Sequence, residues 1–474
     1  MKLSGLTALA LALSTAFPVA AQSNAELLNE LRALRDRVTD LEKKLQDATA
    51  SKPAVPAGQW GMTPEQTQEM NRIGVKTEAL QDSIVDQGLK GLKISGQADP
   101  TYIYNAAQQN GSFVFLNNGD ARYTYDNSYF GMAVIDFQKE MDSGTLWRLT
   151  LAPERGTGAL INSGSIVHEA SVSIPITDLQ TRLWAGQIPD WTGYELTLPA
   201  GNKLITHNLL FDFMAPTAYV GAVADITRGK WWSRVGLANV NTTRTSSGNR
   251  DLALIYRVDY SKGEYSGFGF SGLHGKIANF AADGAYNDPT GALDADGNPV
   301  QLSFGGSDEA TMANLFQVDA YFVRGDWSLY GQASYGEQED AAIFNSDGQL
   351  RDASWWGLSG LAAYKFTPRL EGVLRADYVH NEKNGGGLLG YSFDDSINGI
   401  GRGVLDDGSF SKGESVGANR YALTLGLNYL YDENTIFKVE YRYDGSDQEV
   451  FEYVDNNNFR KYNQLFGASV VVSF

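Results

Sequence analysis

Tyr462-Asn-Gln-Leu-Phe-Gly-Ala-Ser-Val-Val-Val-Ser-Phe474 ends the sequence and carries its clearest structural signal. Counted back from Phe474, every second residue is apolar: Val472, Val470, Ala468 and Phe466. Ser473, Ser469 and Gly467 fall between them, with Val471 and Leu465 weakening the contrast. Successive side chains of a strand point to opposite faces, so this segment has one apolar face and one small, polar face. That suits a barrel wall with lipid outside and a lumen inside. An amphipathic strand closing a soluble sheet would read the same way, so the rest of the chain has to decide.

The same alternation recurs upstream. Phe437, Val439, Tyr441 and Tyr443 point one way while Lys438, Glu440 and Arg442 point the other. Tyr421, Leu423, Leu425, Leu427, Tyr429 and Tyr431 alternate with Arg420, Thr424, Gly426 and Asn428. Strands are expected to begin near residues 92, 127, 144, 165, 179, 217, 229, 250, 266, 313, 326, 354, 369, 419, 434 and 461. Short turns such as Asp142-Ser-Gly144, Thr227-Arg-Gly229, Arg324-Gly-Asp326 and Asp432-Glu-Asn434 alternate with long polar segments near 276–312, 337–353, 382–418 and 445–460. Alternating short and long connections belong to outer-membrane barrels, and a soluble sandwich has no reason to keep them. Tyr260, Trp327, Trp355, Tyr378, Tyr431, Tyr443 and Tyr462 collect at strand ends, where headgroup-level aromatic rims form. The fold class is therefore all-β, an antiparallel transmembrane barrel over residues 92–474 with about sixteen strands.

Composition agrees. Mean hydropathy is −0.28, but alternating faces average out in a barrel, so this does not argue for a soluble chain. There is no cysteine, which excludes disulfides and thiolate metal sites. The formal charge of −18 excludes nucleic acid as a partner.

The N-terminus reads as a secretory address over residues 1–21. Met1-Lys2 precedes a Leu/Ala-rich run from Leu3 to Phe17, and Pro18-Val-Ala-Ala21 places small residues before Gln22. Over residues 22–50, Leu27, Leu31, Leu34, Val38, Leu41 and Leu45 recur at intervals of four and three, a coiled-coil seam. With Leu31, Val38 and Leu45 at a, Glu30–Arg35 and Arg37–Glu42 become attractive pairs between parallel chains, so a homo-oligomer is expected. Residues 51–91 read as a Pro/Gly linker followed by a weaker helical pattern at Met70, Ile73, Leu80 and Ile84. An even strand count leaves both barrel ends in the periplasm, beside this arm.

The segment from Pro189 to Pro216 is too apolar for a solvated loop, since Trp191, Tyr194, Leu196, Leu209, Phe211 and Phe213 need shelter. Folding inward would bury them and narrow a pore, with Asp190, Trp191, Tyr194, Glu195, Lys203 and Asp212 in the constriction. A strand pair in this segment would instead raise the count to about eighteen. Gly186-Gln187, Gly193-Tyr194-Glu195, Asn208, Pro216 and Gly221 resemble the OmpL-like β-barrel porins, with specificity confined to residues 180–225. The arm-plus-barrel plan is also similar to sugar- and phosphate-selective porins. These resemblances imply a trimer in the outer membrane and passive diffusion of small hydrophilic solutes or ions. They transfer no substrate, because no sugar-stacking or phosphate-lysine ladder is recognisable.

By strand parity, Arg148, Arg182, Arg234, Arg257, Arg375, Arg420, Lys438 and Arg442 face the lumen, together with Asp136, Asp259, Asp319, Glu371, Asp377 and Glu440. Opposed charges there select ions by local sign, or pair within the wall and rigidify it. The small basic excess hints at anion preference. Gly267-Phe-Gly-Phe-Ser-Gly272 matches a dinucleotide pattern, but it lies in a strand with no helix after it. His168, His207, His274 and His380 lack metal-ligand spacing. A diffusion channel without cofactor, metal or turnover chemistry is thus expected. The rivals are a plugged barrel tethered to the cell wall and an outer-membrane hydrolase.

Overall fold

The structure, a computed structural model, describes residues 88–116, 130–153, 166–216, 218–240, 251–261, 265–279, 310–342, 351–382, 418–454 and 458–474, with residues 68–77 and a few isolated positions. The chain divides into two compact units, Met1–Gly88 and Leu89–Phe474. In the first, residues 68–77 form helix α1, where the sequence pattern placed the weaker helix. The secretory segment and the seam residues Leu27, Leu31, Leu34, Val38, Leu41 and Leu45 lie outside the described residues.

The second unit is a closed antiparallel barrel of sixteen strands. In chain order they are β1 (Leu92–Ala98 and Thr101–Asn105), β2 (Asn110–Val114 and Ala133–Glu140), β3 (Leu146–Leu151), β4 (Val167–Asp178), β5 (Thr181–Pro189), β6 (Ala218–Arg228), β7 (Trp231–Val240) and β8 (Ala253–Ser261). There follow β9 (Ser266–Ala278), β10 (Ala310–Arg324), β11 (Trp327–Ala342), β12 (Arg351–Thr367), β13 (Leu370–Glu382), β14 (Arg420–Leu430), β15 (Thr435–Ser446) and β16 (Tyr462–Ser473). Each strand pairs with the next, and β16 closes the ring on β1 through Thr101↔Ser469 and Gln97↔Ser473. The terminal residue completes the seam: Phe474 exchanges both backbone hydrogen bonds with Gly96, at 3.0 and 3.1 Å.

The first two strands are interrupted, which the alternation did not reveal. Pro100 offers no N–H to a ladder and splits β1. Opposite it, β2 leaves the wall after Val114 and re-enters at Ala133, so Thr101 faces Val114 while Ala98 faces Ala133. Buried Asp99 fixes the re-entry by accepting from the backbone N–H groups of Gly131 (2.9 Å) and Met132 (2.6 Å). The second strand therefore starts at Asn110 rather than near 127; its first segment, Asn110–Val114, is too short and polar to announce itself. The strand limits also trim the expected long connections, since β11 runs on to Ala342 and β9 to Ala278.

The two faces separate as alternation requires. On β14, Tyr421, Leu423, Leu425, Leu427 and Tyr429 are exposed on the outside, while Arg420, Ala422, Thr424 and Asn428 are buried inside. Val472, Val470, Ala468 and Phe466 of β16 likewise turn outward. The apolar band running round the outside of the barrel far exceeds the few hundred Å² that a soluble monomer exposes. Aromatic pairs mark its rims: Trp327 with Tyr364 (4.8 Å) and Trp231 with Tyr260 (4.8 Å) at the short-turn end, and Trp356 with Tyr378 (5.4 Å) at the long-loop end. Trp355 departs from the expected rim. It points inward and is fully buried over Gly336, and its neighbour Trp356 takes the outer position.

Candidate channel lumen

Residues 190–216 leave the end of β5 and fold into the barrel, as their apolar content demanded. They form no strand pair, so the eighteen-strand alternative falls: the segment contains a 3₁₀ turn at Pro199–Gly201 and helix α2 at Leu209–Met214. Asn208 starts α2 by accepting from the Phe211 N–H at 2.7 Å. Extended Ala215, the residue before Pro216, ends it. All six residues of α2 are buried.

The loop crosses the lumen and is held at both sides. Trp191 packs between Trp184 (6.0 Å) and Tyr219 (4.8 Å), beside β5 and β6. Asp190 accepts from Tyr219 Oη at 2.6 Å and from Thr192. On the far side, Tyr194 Oη meets Ser359 Oγ at 2.6 Å and its ring stacks on Tyr330. Glu195 pairs with Arg375 (2.9 Å), Lys203 with Glu371 (2.7 Å) and Asp212 with Arg442 (3.6 Å). Gly186 and Gly221 face each other across β5 and β6 at the root of the loop. Gly186 has φ +128° and a Cβ there would press on the Ala170 carbonyl, which explains why this strand needs glycine.

Strand β15 clamps the loop backbone with three successive inward residues. Lys438 Nζ donates to Pro199 O (2.9 Å) and Asn202 O (2.7 Å). Glu440 accepts from the Ile205 N–H (2.6 Å), the Thr206 N–H (3.1 Å) and the Thr206 hydroxyl. Arg442 donates to His207 O at 2.7 Å, and Arg375 on β13 adds bonds to Thr206 O and His207 O. A period-two series of Lys, Glu and Arg thus matches carbonyl, amide and carbonyl in turn. These side chains are at most 3 % exposed.

The other arginines expected in the lumen also point inward, and nearly all are paired within the wall. Arg148 meets Asp136 (2.9 Å) and Glu169 (3.1 Å), and Arg234 meets Asp225 (3.1 Å). Arg257 bridges Asp259 (2.7 Å) and Asp319 (3.0 Å), Arg375 adds Asp377 (3.0 Å), and Arg420 and Arg442 share Asp444. Arg182 differs: it donates to Ser173 Oγ, Ser173 O and Gly144 O and has no carboxylate partner among the described residues. Sequence reasoning missed Glu169, Asp225 and Asp444. Asp444 continues the Lys438, Glu440, Arg442 series and could have been found, whereas a register shift between β3 and β4 hides Glu169.

Strand parity did not anticipate the long-loop half of the lumen. Ile188, Val223, Val240, Ile255, Leu273 and Trp355 point inward there and pack with Leu209, Leu210, Phe213 and Met214 of the loop in one buried cluster. The short-turn half stays accessible to water, with Arg148 33 % and Asp259 23 % exposed.

Burial sets the ionisation of the loop. It pushes the Asp190 carboxyl up to about 6, against the hydrogen bonds from Thr192 and Tyr219, and depresses His207 to about 3. Burial also raises Asp212 well above the usual carboxylate range, with Arg442 pulling the other way. For Asp190 the folded value lies above the unfolded one, so its favourable contribution is full at low pH and is lost as pH rises through about 6. His207 has the opposite sign, losing stability as pH falls below its unfolded range. The difference in thermal stability between wild type and Asp190→Asn should therefore change between about pH 4 and 6 and be flat above pH 7, read by unfolding scans across pH.

Residues 4–252 and 279–474 match DUF3138, a family of proteins of unknown function. The chain belongs to that family. No curated protein matches this DUF3138 member, and its likeness to OmpL-like porins stays a resemblance over residues 180–225. Among solved structures it is similar to a loop-deletion form of OmpT, an outer membrane protein of Vibrio cholerae, at 12 % identity and a TM-score of 0.49, covering 81 % of this chain and 99 % of that one. It is similar at 10 % identity and 0.48 to an anion-selective porin from Comamonas acidovorans, covering 81 % and 99 %. The outer membrane channel DcaP of Acinetobacter baumannii follows at 11 % and 0.47, covering 81 % and 97 %.

Proposed function

We propose that this DUF3138 protein is an outer-membrane porin passing small hydrophilic solutes or ions by diffusion, without turnover chemistry. The observation that carries this reading is the barrel with two opposite faces, apolar outside and charged inside, and a loop that constricts the lumen. Short turns then lie in the periplasm with the N-terminal arm, and long loops face the exterior. The seam at Leu31, Val38 and Leu45, with the porin likeness, supports a homotrimer. The charged side chains Arg148, Arg182, Arg234, Arg257 and Asp259 line the water-accessible part, with buried Asp319 paired to Arg257. Arg375, Asp377, Arg420, Lys438, Glu440 and Arg442 hold the constriction in place.

A second reading has its own support: the loop seals the long-loop half with buried apolar contacts, which suits a plugged, structural barrel tethered to the cell wall. Single-channel recording in a planar bilayer separates the two. Purified, inserted protein should give discrete steps in multiples matching the oligomer, small for a sixteen-stranded barrel because the loop is in place. Silence with proven insertion would transfer the case to the plugged barrel.

A further inference from the structure

The outer wall of the barrel carries a recess of about 780 Å³ across β9–β13, walled at its two ends by Phe270 and Tyr378. Its floor is a run of small residues paired in register, Ala320, Gly331, Gly360 and Ala376. Nothing in the chain itself asks for glycine at the central pair. A Cβ at Gly360 would meet no atom within 4 Å, one at Gly331 would meet only Ser359 O at 4.0 Å, and neither residue has a positive φ. The other outward glycines of the described strands lie against aromatic side chains of their own chain: Gly96 by Phe474, Gly111 by Tyr102 and Tyr104, Gly272 by Tyr256, Gly372 by Phe366 and Gly445 by Tyr421. Glycine inside a strand weakens it and marks a place where another backbone or a ligand comes close. Acyl chains are fluid and follow any relief, so lipid gives no reason to leave the pair bare. A second protein surface does, because small residues let it approach closely.

The barrel also offers the shape that fits. On the outside of β14, Leu423, Leu425 and Leu427 form a ridge, 47 %, 53 % and 47 % exposed. Depth agrees: Gly331 is midway between Trp327 and Tyr335, Gly360 between Trp356 and Tyr364, and Leu425 between Tyr421 and Tyr429, these aromatics all turning outward. Copies standing side by side in one membrane bring equal depths together, so Leu425 comes level with the glycine pair. Direction agrees too. With sixteen strands round the ring, the step from the β11–β12 pair to β14 is about 56°. A ring of three copies needs two contact faces about 60° apart on each barrel, a ring of four about 90°, and a two-fold dimer a single face. The seam expected at Leu31, Val38 and Leu45 is too short to hold copies together alone, so firm assembly calls for a contact between barrels.

We propose that the Gly331–Gly360 recess of one copy receives the Leu425 ridge of the next, and that this head-to-tail contact closes at three copies. The leucines fill space that no side chain of their own chain occupies, and the glycines gain the cover that the other outward glycines find within the chain. Since the recess and the ridge are different faces, each protomer gives one and receives one. The proposal deepens the homotrimer in the porin reading by naming its contact surface, and it rests on the membrane placement in that reading but not on an open pore.

The test uses the full-length protein, which has no cysteine of its own. The double variant Gly360→Cys, Leu425→Cys, oxidised in membranes, should give a covalent ladder that ends at the trimer. Both single variants should stay monomeric on the same denaturing gel. Within one chain the two positions lie two strands apart, about 10 Å, which is beyond disulfide reach. Gly360→Leu should weaken self-association about tenfold or more in detergent, read by sedimentation, as overfilling the contact implies. Its barrel should still fold, with a wild-type strand signal in circular dichroism, because the added side chain has open space in its own chain. Leu425→Ala should weaken association too, whereas Leu237→Ala, 53 % exposed on β7, should leave it unchanged. A ladder from a single variant, bands beyond three, no ladder at all, or full association of Gly360→Leu would overturn the assignment. So would a wild-type monomer carrying a lipid that Gly360→Leu displaces in native mass measurement. Single-channel recording is scored separately: a conducting monomer sinks the contact alone, and a silent trimer sinks the open-pore reading alone.

Discussion

Glu440→Ala should raise single-channel conductance severalfold and open the 196–207 arm of the loop to protease. The carboxylate serves three loop donors, the N–H groups of Ile205 and Thr206 and the Thr206 hydroxyl, in a site closed to water. Each buried donor left without an acceptor costs about 1–3 kcal/mol, so the docked arm with its three donors loses on the order of 3–9 kcal/mol. Those donors recover hydrogen bonds if the arm swings into solvent, so release becomes the favourable response. Helix α2 should stay in place, because its apolar side chains are packed independently of Glu440. Paired conductance and limited-proteolysis measurements check this. Unchanged conductance with an uncut loop would show that apolar packing alone holds the arm.

Arg375→Met should prevent formation of a heat-stable barrel. Arg375 is fully buried and binds Glu195, Asp377, Thr206 O and His207 O at once. Removing it leaves two neighbouring carboxylates without their counter-ion, and breaking a buried pair in this way costs about 3–5 kcal/mol. The triple variant Arg375→Met, Glu195→Gln, Asp377→Asn should regain most of that stability, since no charge is then left uncompensated. Heat-dependent gel migration of the refolded protein reads both. A stable single variant, or a triple variant no better than the single, would show that the ion pairs matter less than packing around them.

The same arginine shows how far sequence reasoning reaches. Parity placed Arg375, Asp377, Lys438, Glu440 and Arg442 on the inner face, because a strand's side chains alternate whatever else surrounds them. It could not say what stood opposite. Lumen residues close to an aqueous path and lumen residues clamping a loop have the same period. They differ only in what the distant 190–216 segment does. The apolar long-loop half escaped for a related reason. On β9, inward Leu273 and Ile277 alternate with outward His274 and Lys276, so polarity there runs opposite to the rest of the wall and parity by polarity misleads. The break in β1 and β2 was hidden because Asp99 acts on Gly131 and Met132, which are remote from it in sequence.

The sequence by itself determined an antiparallel barrel of about sixteen strands, the alternation of short turns with long connections, and the need of the apolar 190–216 segment for shelter. Those follow from local quantities: a two-residue period, turn residues, connection lengths and the cost of exposing Trp, Phe and Leu to water. Tertiary structure alone decided which charges are paired, which half of the lumen is sealed, and that Arg182 meets neutral acceptors on Ser173 and Gly144. Each of these depends on the distance between groups far apart in the chain, and electrostatic and hydrogen-bond energies are set by that distance and by the water excluded around it.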